Sequence, residues 1–548
     1  MTAHSYEKRV AIIGGGHNGL VCAFYLARSG HDVTVFERRH IVGGAAVTEE
    51  FHPGFRNSIA SYSVSLLHPK VIADMQLARH GLKIVERYAS NFLPLDDRSY
   101  LLGTSPQEIG KFSARDAEAI GPYTEELQRV ADVVRELMLA TPPNLGVGTW
   151  RETISELLRS AAVGRRLSSM TLEMKRDLLA LFAQSGGEWL DRWFESDPIK
   201  ALLGFDAVVG NYASPYTPGS AYVLLHHVVG EVNSKRGTWG HAMGGMGAIT
   251  QAMAKACREA GVTLTTEAPV REVIVERGHA AGLLMGDGEI HRAKYVVSGL
   301  NPKLLFTKMI KPSGLPADFR LRMERYRCGS GTFRMNLALA ALPRFTCLPE
   351  PGPHLNTGII MAPSLAYMDR AYSTARAKGW SDEPIVEMLI PSVIDDSLAP
   401  AGRHVASLFC QHVAAELPDS RSWDDHRDEV AELMLQTVEK FAPGFRNSVL
   451  GVQALTPLDL ERTFGLVGGD IMHGRLELDQ MFSARPVLGH GNYRSPIHGL
   501  YMCGAGTHPG GGVSGIPGHN AAREILRDMR KSKWGGEGRR KFARTAEG

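Results

Sequence analysis

The sequence predicts an α/β fold, in which a parallel sheet carries helices and a second portion of the chain is interleaved with it. Three segments predict this class: residues 10–37 show the pattern strand, glycine turn, helix, strand; residues 262–297 alternate strand patterns with tight turns; and residues 499–523 repeat apolar strand, glycine loop and helix. At 548 residues the chain is too long for one hydrophobic core and fits two domains.

The first segment carries the pattern of a dinucleotide site. The apolar run 10–13 is typical of a parallel strand buried on both faces, and the turn after it has three glycines with distinct roles. Gly14 allows the tight turn, Gly16 lets the backbone approach a pyrophosphate, and Gly19 lets the helix pack closely on the sheet. Free amides at the start of the helix predicted for 18–29 favour a phosphate, so His17 and Asn18 are also expected at the cofactor.

Glu37 ends the second predicted strand, 33–36, where a carboxylate accepts hydrogen bonds from ribose hydroxyls, each contributing about 1.5–3 kcal/mol. Arg38 and Arg39 raise a rival interpretation, because arginines here hold the 2′-phosphate of NADP. The Glu37 carboxylate would repel that phosphate, so we expect the arginines to stack near the adenine or to lie in solvent.

A second pair of glycines follows, in the segment Gly43-Gly44-Ala45. Its placement resembles the FAD-binding flavoproteins that include amine oxidases and phytoene desaturases, in which a Gly-Gly-Arg-x-x-Ser/Thr segment follows the ribose-binding acid. The resemblance implies FAD as the cofactor, with Gly43, Gly44 and Ala45 beside it. Ala45 stands where the family has arginine, so backbone or water must replace one charged phosphate contact.

The middle and the end of the chain extend this pattern. A helix over 248–261 and a strand over 262–266 precede antiparallel hairpins from Val270 onward, and in the resembling family the backbone near such a valine contacts the adenine. The loop 504–518 is mostly glycine, as a backbone touching a flat ligand requires, and a helix begins near Pro517. The cofactor-binding residues expected here are Gly504, Gly506, Gly511, Gly515 and Ile516.

Further motifs narrow the resemblance to the phytoene-desaturase-related branch, closest to the carotene-ketolase type and the pyridine nucleotide-disulfide oxidoreductase domain-containing proteins. They are 504–511, 468–473, 479–481 and Arg485-Pro486. The resemblance implies a Rossmann-like FAD-binding domain, with a parallel sheet, helices and a β-meander, at 8–74, 240–310 and 465–530. An interleaved α+β substrate domain of the amine-oxidase/phytoene-desaturase type would occupy 75–239 and 311–464, and a flexible basic tail 531–548.

Composition excludes several other classes. The net charge is +3 without a basic cluster, so no nucleic-acid partner is expected. Six scattered cysteines lack both a Cys-x-x-Cys pair and metal-ligand spacing with histidine, which predicts no redox disulfide, no metal and a reducing compartment such as the cytoplasm. Apolar runs are too short for a signal peptide or a membrane span. Residues 150–194 mix basic and apolar residues at helical spacing, which favours a domain helix with a solvated basic face and leaves peripheral membrane contact open.

Three functions stay open at this point. The leading one transfers a hydride from a C–H bond of a mostly apolar small molecule, carotenoid- or isoprenoid-like, to flavin N5, as a phytoene dehydrogenase-like enzyme would. The others are an amine or amino-acid oxidase, and a flavin-holding regulatory protein with little turnover. Because the chain has no second dinucleotide motif, the electron acceptor would be oxygen, a quinone or another molecule; no oligomeric state is predicted.

Few side chains present themselves as catalytic. His508 lies in the glycine loop and either takes part in chemistry or, as we favour, holds the loop by hydrogen bonding. Tyr62 lies in a segment expected beneath the flavin and would face substrate or the core. Asp470 and His473 would line the same cavity or cap a turn, and Asp479-Gln480 would contact the ribityl chain or the phosphates.

Overall fold

The computed structural model describes residues 8–144 and 150–545, without the side chains of 150–152, 155 and 532–545. Its strands are β1 Arg9–Ile13, β2 Asp32–Phe36, β3 Thr48–His52, β4 Phe55–Ser58, β5 Ile84–Glu86, β6 Asn91–Pro94, β7 Tyr100–Leu102, β8 Glu231–Val232, β9 Lys235–Arg236, β10 Gly240–Ala242, β11 Thr263–Thr265, β12 Val270–Glu276, β13 His279–Met285, β14 Ile290–Arg292, β15 Tyr295–Ser298, β16 Phe333–Leu339, β17 Gly358–Met361, β18 Trp380–Leu389, β19 His404–Val413, β20 Val449–Leu455 and β21 Leu500–Met502.

Its α-helices are α1 His17–Arg28, α2 Pro69–Asp74, α3 Pro106–Ile109, α4 Ala114–Met138, α5 Trp150–Ser168, α6 Leu172–Ala183, α7 Gly186–Asp191, α8 Asp197–Val208, α9 Ser220–Val228, α10 Met246–Glu259, α11 Pro302–Lys308, α12 Ala317–Glu324, α13 Leu365–Lys378, α14 Trp423–Phe441, α15 Pro457–Phe464 and α16 Ile516–Thr545. No helix in the described ranges is long and apolar enough to cross a membrane.

A five-stranded parallel sheet in the order β11-β2-β1-β15-β21 brings together distant parts of the chain. Val10 on β1 lies opposite Val33 on one side and Tyr295 on the other. Helices α1, α10 and α16 share a core with one face of this sheet, through residues such as Leu20, Ile249 and Ile525. The antiparallel meander β12-β13-β14 contributes to the core on the other face. The predicted α/β class is therefore confirmed.

A second sheet, of seven strands in the order β20-β16-β19-β18-β17-β6-β7, is antiparallel except where β17 meets β6. Helix α14 shares a core with one face of the sheet, and α4, α8, α9 and α13 share a core with the other. Its strands come from two stretches, 91–102 and 333–455, that lie within the ranges predicted for the substrate domain. The domain boundaries themselves remain a prediction.

The final helix α16 continues past residue 531, where the sequence predicts a tail, to Thr545. The last three residues of that predicted tail, 546–548, lie outside the described residues. Residues 150–194 form α5, α6 and α7, in agreement with their helical spacing.

Candidate cofactor and substrate site

The turn between β1 and α1 is closely packed. A Cβ atom at Gly19 would lie 2.3 Å from the carbonyl oxygen of Gly14, so only glycine lets the helix begin this close to the strand. Gly16 is the N-cap residue of α1, and no side chain in the described structure caps this helix. The first amides of α1 are therefore available to an anion, as the sequence predicts.

The second glycine pair lies directly against this turn. The Gly43 amide donates to the Gly15 carbonyl at 2.8 Å, and Gly16 and Gly43 form a parallel bridge. Gly44 has a φ of +58°, and a Cβ atom there would lie 3.1 Å from the Gly16 Cα. Two separate glycine segments thus border one space, which a side chain at either position would narrow.

The Glu37 side chain connects the first glycine turn to the segment that follows β2. Its carboxylate accepts hydrogen bonds from the Gly15 amide at 2.9 Å and from the Arg39 amide at 3.0 Å. Arg38 donates to the Arg462 carbonyl at 3.0 Å, whereas Arg39 pairs with Glu49 at 2.7 Å. The arginines after β2 therefore already have protein partners.

A cavity of about 430 Å³ opens between these elements. Ten of the predicted cofactor-binding residues line it: Gly14, Gly16, His17, Asn18, Gly19, Glu37, Arg38, Gly44, Ala45 and Val270. Val270 comes close to Glu37 because the Ala268 amide donates to the Glu37 carbonyl at 2.9 Å. Sequence segments more than 200 residues apart thus meet at one wall.

The glycine loop near the end of the chain approaches the cavity through neighbours of the predicted residues. Ala505, Gly512 and Val513 are among the lining residues that the structure describes, whereas the predicted loop residues are not: Gly504, Gly506, Gly511, Gly515 and Ile516. Gly43, in the second glycine pair, is also outside the described lining. The loop therefore borders the cavity, but through positions adjacent to those the pattern selects.

His508 is placed away from the lining. Its Nε2 lies 3.1 Å from the Leu137 carbonyl, its ring lies against Phe482, and its own carbonyl accepts a hydrogen bond from Tyr493. Burial lowers the pKa of the imidazole to about 4, so it is neutral at physiological pH. These contacts join the loop to α4 and to Phe482, and His508 is not among the described lining residues of the cavity.

The other polar residues predicted from the sequence divide between the cavity and the loops. His473 lines the cavity. Asp470 caps a turn instead, because its carboxylate accepts hydrogen bonds from the backbone amides of Gly329, Met472 and Gly474. Asp479 pairs with Arg327, and the Gln480 side chain hydrogen-bonds the Arg327 backbone. The structure does not bring Asp470, Asp479 or Gln480 to the described lining.

Tyr62 lines the cavity from a polar cluster. Its hydroxyl donates to Glu387 Oε2 at 2.5 Å, its ring stacks on Phe409, and the Arg334 guanidinium lies 4.5 Å from the ring centre. Arg87 lies 3.9 Å from Glu387. Burial raises the pKa of the Glu387 carboxyl and lowers the pKa of both guanidiniums.

Sequence reasoning missed Glu387, Arg87 and Arg334. A signal for two of them exists, because Arg334 and Glu387 are isolated charges within apolar strand runs on β16 and β18. Nothing in the local pattern connects either of them to Tyr62, which precedes them by more than 270 residues.

The cavity lining separates into a charged and an uncharged part. Its formally charged members are Glu37, Arg38, Arg39, Arg271 and Lys308, which belong to the wall around β2, β12 and α11. Burial lowers the pKa of His17 to about 3 and the pKa values of His227 and His473 to about 4. The remaining described lining is therefore neutral, with Leu66, Val209, Trp239, Phe409, Ile471 and Met472 among its members.

The glycine turn, the acid after β2 and the cavity between them define a dinucleotide-binding protein of the α/β class. The family model for flavin containing amine oxidoreductases matches residues 19–333, and the chain belongs to that family.

Known relatives extend over almost the whole chain. Pyridine nucleotide-disulfide oxidoreductase domain-containing protein 2 of Rattus norvegicus is 40% identical over 550 residues, covering 96% of this chain and 94% of the relative. All-trans-zeta-carotene desaturase of Myxococcus xanthus is 25% identical, covering 92% and 90%. The structure of cyclohexylamine oxidase from Brevibacterium oxydans shares the fold, with a TM-score of 0.56 at 14% identity, covering 96% and 99%. The predicted resemblance, the FAD cofactor and the class of FAD-dependent oxidoreductase are thereby confirmed.

The cavity suits FAD on grounds independent of family. The uncapped start of α1 offers amides for a pyrophosphate, and Gly16 and Gly44 leave open the space that Cβ atoms would fill. Asn18 Oδ1 is buried at this wall without a hydrogen-bond partner in the described part of the chain. A buried oxygen of this kind requires a donor from a ligand or water.

Proposed function

We propose that this flavoprotein oxidises a mostly apolar small molecule, isoprenoid- or carotenoid-like, at a C–H bond. The observation that carries the proposal is that the described cavity lining beyond β2, β12 and α11 offers no charged side chain in direct contact with a substrate. The similarity to a carotene desaturase supports the same class of substrate.

In this proposal, Glu37 would accept hydrogen bonds from the ribose hydroxyls, the α1 amides would hold phosphate oxygens, and the backbone at Val270 would border the adenine. Bound FAD supplies the capacity to take a hydride from a carbon atom. The protein orients the substrate against the apolar wall and excludes water from it. For a desaturation, the substrate would give up that hydride and would release a proton from the adjacent carbon to solvent, which forms the double bond. Oxygen, a quinone or another acceptor would finally take up the two electrons.

The Tyr62 cluster opposes a cationic amine as the substrate. The buried guanidiniums of Arg87 and Arg334 lie close to the Glu387 carboxyl. Burial raises the pKa of Glu387 and of the neighbouring Asp206 carboxyl, which favours the neutral form of both acids. The Tyr62 hydroxyl already donates to the Glu387 carboxyl, so an ammonium ion would have to compete with the hydroxyl and would be repelled by both cations. Amine oxidation is therefore the less favoured of the two enzyme functions.

The experiment is anaerobic reduction of the bound flavin by a panel of substrates. Purified holoprotein is mixed with a polyene, a cyclic terpene and a primary amine, and the visible absorbance of oxidised flavin is followed. We expect bleaching with at least one isoprenoid and none with the amine. Bleaching by the amine while every isoprenoid leaves the flavin oxidised would contradict the proposal.

A further inference from the structure

Helix α5 has its polar and apolar faces in an unusual arrangement. The side that packs on the protein carries Glu156, which accepts the Asn144 amide at 2.9 Å, and Arg159, which pairs with the fully buried Glu524 at 2.9 Å. Aliphatic side chains lie on the opposite side, exposed by 49% at Ile154, 54% at Leu157 and 67% at Leu158. An amphipathic helix of a soluble domain ordinarily has the reverse orientation.

The next helix, α6, also exposes aliphatic side chains to solvent. On α6, Leu172 and Leu179 are 63% and 68% exposed, whereas Asp177 and Leu181 are buried. Five of the thirteen large apolar side chains that are exposed in the described structure thus lie on two consecutive helices. We call this group, Ile154, Leu157, Leu158, Leu172 and Leu179, the apolar face. So many exposed aliphatic side chains on two helices joined by only three residues indicate an interaction surface rather than isolated exposure.

Charge identifies the partner. The exposed charged side chains described on the final turns of α5 and on α6 comprise four cations and one acid: Arg165, Arg166, Lys175, Arg176 and Glu173. Arg166 pairs with Glu136 on α4, so the cationic excess over Glu173 comes from Arg165, Lys175 and Arg176. Aliphatic residues beside a cationic rim match the interface of an anionic lipid bilayer, in which apolar side chains enter the acyl boundary and cations meet the headgroups.

Apolar packing also connects this surface to the cavity. Phe182, at the end of α6, lies 5.0 Å from Tyr222 and 5.4 Å from Phe482 between ring centres. The same cluster includes Met472 and Ile471, and both of these residues line the cavity. Apolar side chains thus pack without interruption from the end of α6 to the cavity lining.

We propose that the apolar face docks on an anionic lipid membrane. Binding to vesicles does not depend on which substrate is oxidised, so its failure and failure of the proposed function are separately visible. The probe is vesicles of phosphatidylcholine alone and of phosphatidylcholine with phosphatidylglycerol, sedimented with full-length holoprotein at low and high salt. We expect binding to the anionic vesicles, weaker at high salt because screening reduces the attraction.

Two variants separate the apolar contribution to binding from the electrostatic one, and a third variant serves as a matched control. The double variant Leu158→Gln/Leu179→Gln should weaken binding by roughly tenfold per leucine. The triple variant Arg165→Gln/Lys175→Gln/Arg176→Gln should weaken it by roughly fivefold per charge and reduce its salt dependence. Leu488→Gln removes an equally exposed leucine, at 68%, from another part of the surface and should bind as wild type does.

Two outcomes would overturn the proposal. The first is that the wild-type protein does not bind anionic vesicles. If the wild type is then a dimer that dissociates in the Leu158→Gln/Leu179→Gln variant, the apolar face belongs to an interface with a second copy of the chain. The second is equal binding by the double variant and the Leu488→Gln control, with all variants showing the wild-type urea midpoint.

Discussion

Replacing Glu37 by glutamine would remove one negative charge at the point where the two glycine segments and β2 meet. The carboxylate accepts hydrogen bonds from the backbone amides of Gly15 at 2.9 Å and Arg39 at 3.0 Å, and Glu37 lines the cavity. An amide side chain keeps one acceptor oxygen and places an NH₂ group where the other stood. With FAD bound, at least one ribose hydroxyl would lose its charged acceptor, equivalent to about 1.5–3 kcal/mol of binding free energy, whereas the weakened bonds to the two protein amides affect folding.

That loss corresponds to a Kd for FAD that is roughly 10 to 150 times higher. The assay titrates apoprotein with FAD and follows flavin fluorescence, and urea unfolding of the same apoprotein reports the change in folding. Glu49→Gln is the matched control, because Glu49 pairs with Arg39 but is outside the described lining. The reasoning is refuted if Glu37→Gln binds FAD with the wild-type Kd, or if Glu49→Gln weakens binding equally.

Three further predictions concern the surroundings of the cavity. Tyr62→Phe removes the hydroxyl donor to buried Glu387 and should lower the free energy of unfolding in urea by about 1–3 kcal/mol, with little change in the Kd for FAD. Arg485→Met removes the donor to buried carbonyl oxygens in the segment 472–480 and at residue 505, and it should lower the free energy of unfolding by at least about 3 kcal/mol. The control Arg327→Met removes a surface ion pair and should unfold with a free energy within about 1 kcal/mol of the wild type. Burial raises the pKa of Asp206 from 3.8 to about 7, so as the pH rises this carboxyl ionises in the unfolded chain before it ionises in the folded protein. The free energy of unfolding of the wild type should therefore fall relative to that of Asp206→Asn between about pH 4 and 7, by up to about 4 kcal/mol, and should then level off. Equal pH profiles for these two proteins would show that Asp206 is not held neutral.

The part of the site that the sequence predicts is the part built from local patterns. The strand, turn and helix from Arg9 to Arg28 appear at the expected positions within a residue or two, because apolar periodicity and glycine spacing act over short distances. Glu37 and Val270 reach the cavity for the same reason, since each occupies a fixed position at an end of a strand.

The substrate wall could not be predicted in this way. Tyr62, Arg334 and Glu387 meet only because β16 and β18 lie in one sheet beside the segment after β4, and strand order in that sheet is not encoded locally. The glycine loop shows the intermediate case. Its pattern identifies the segment, but which backbone atoms face the cavity depends on packing against Pro302, Met472 and Leu66.

The most direct test is a crystal structure of the protein with FAD. We expect density for the dinucleotide within the cavity, with the adenosine ribose at Glu37, the pyrophosphate at the start of α1, and the ring system between Tyr62 and the loop at Gly512. Density for FAD at another place on the molecule, or a ribose that leaves Glu37 without contact, would contradict this expectation.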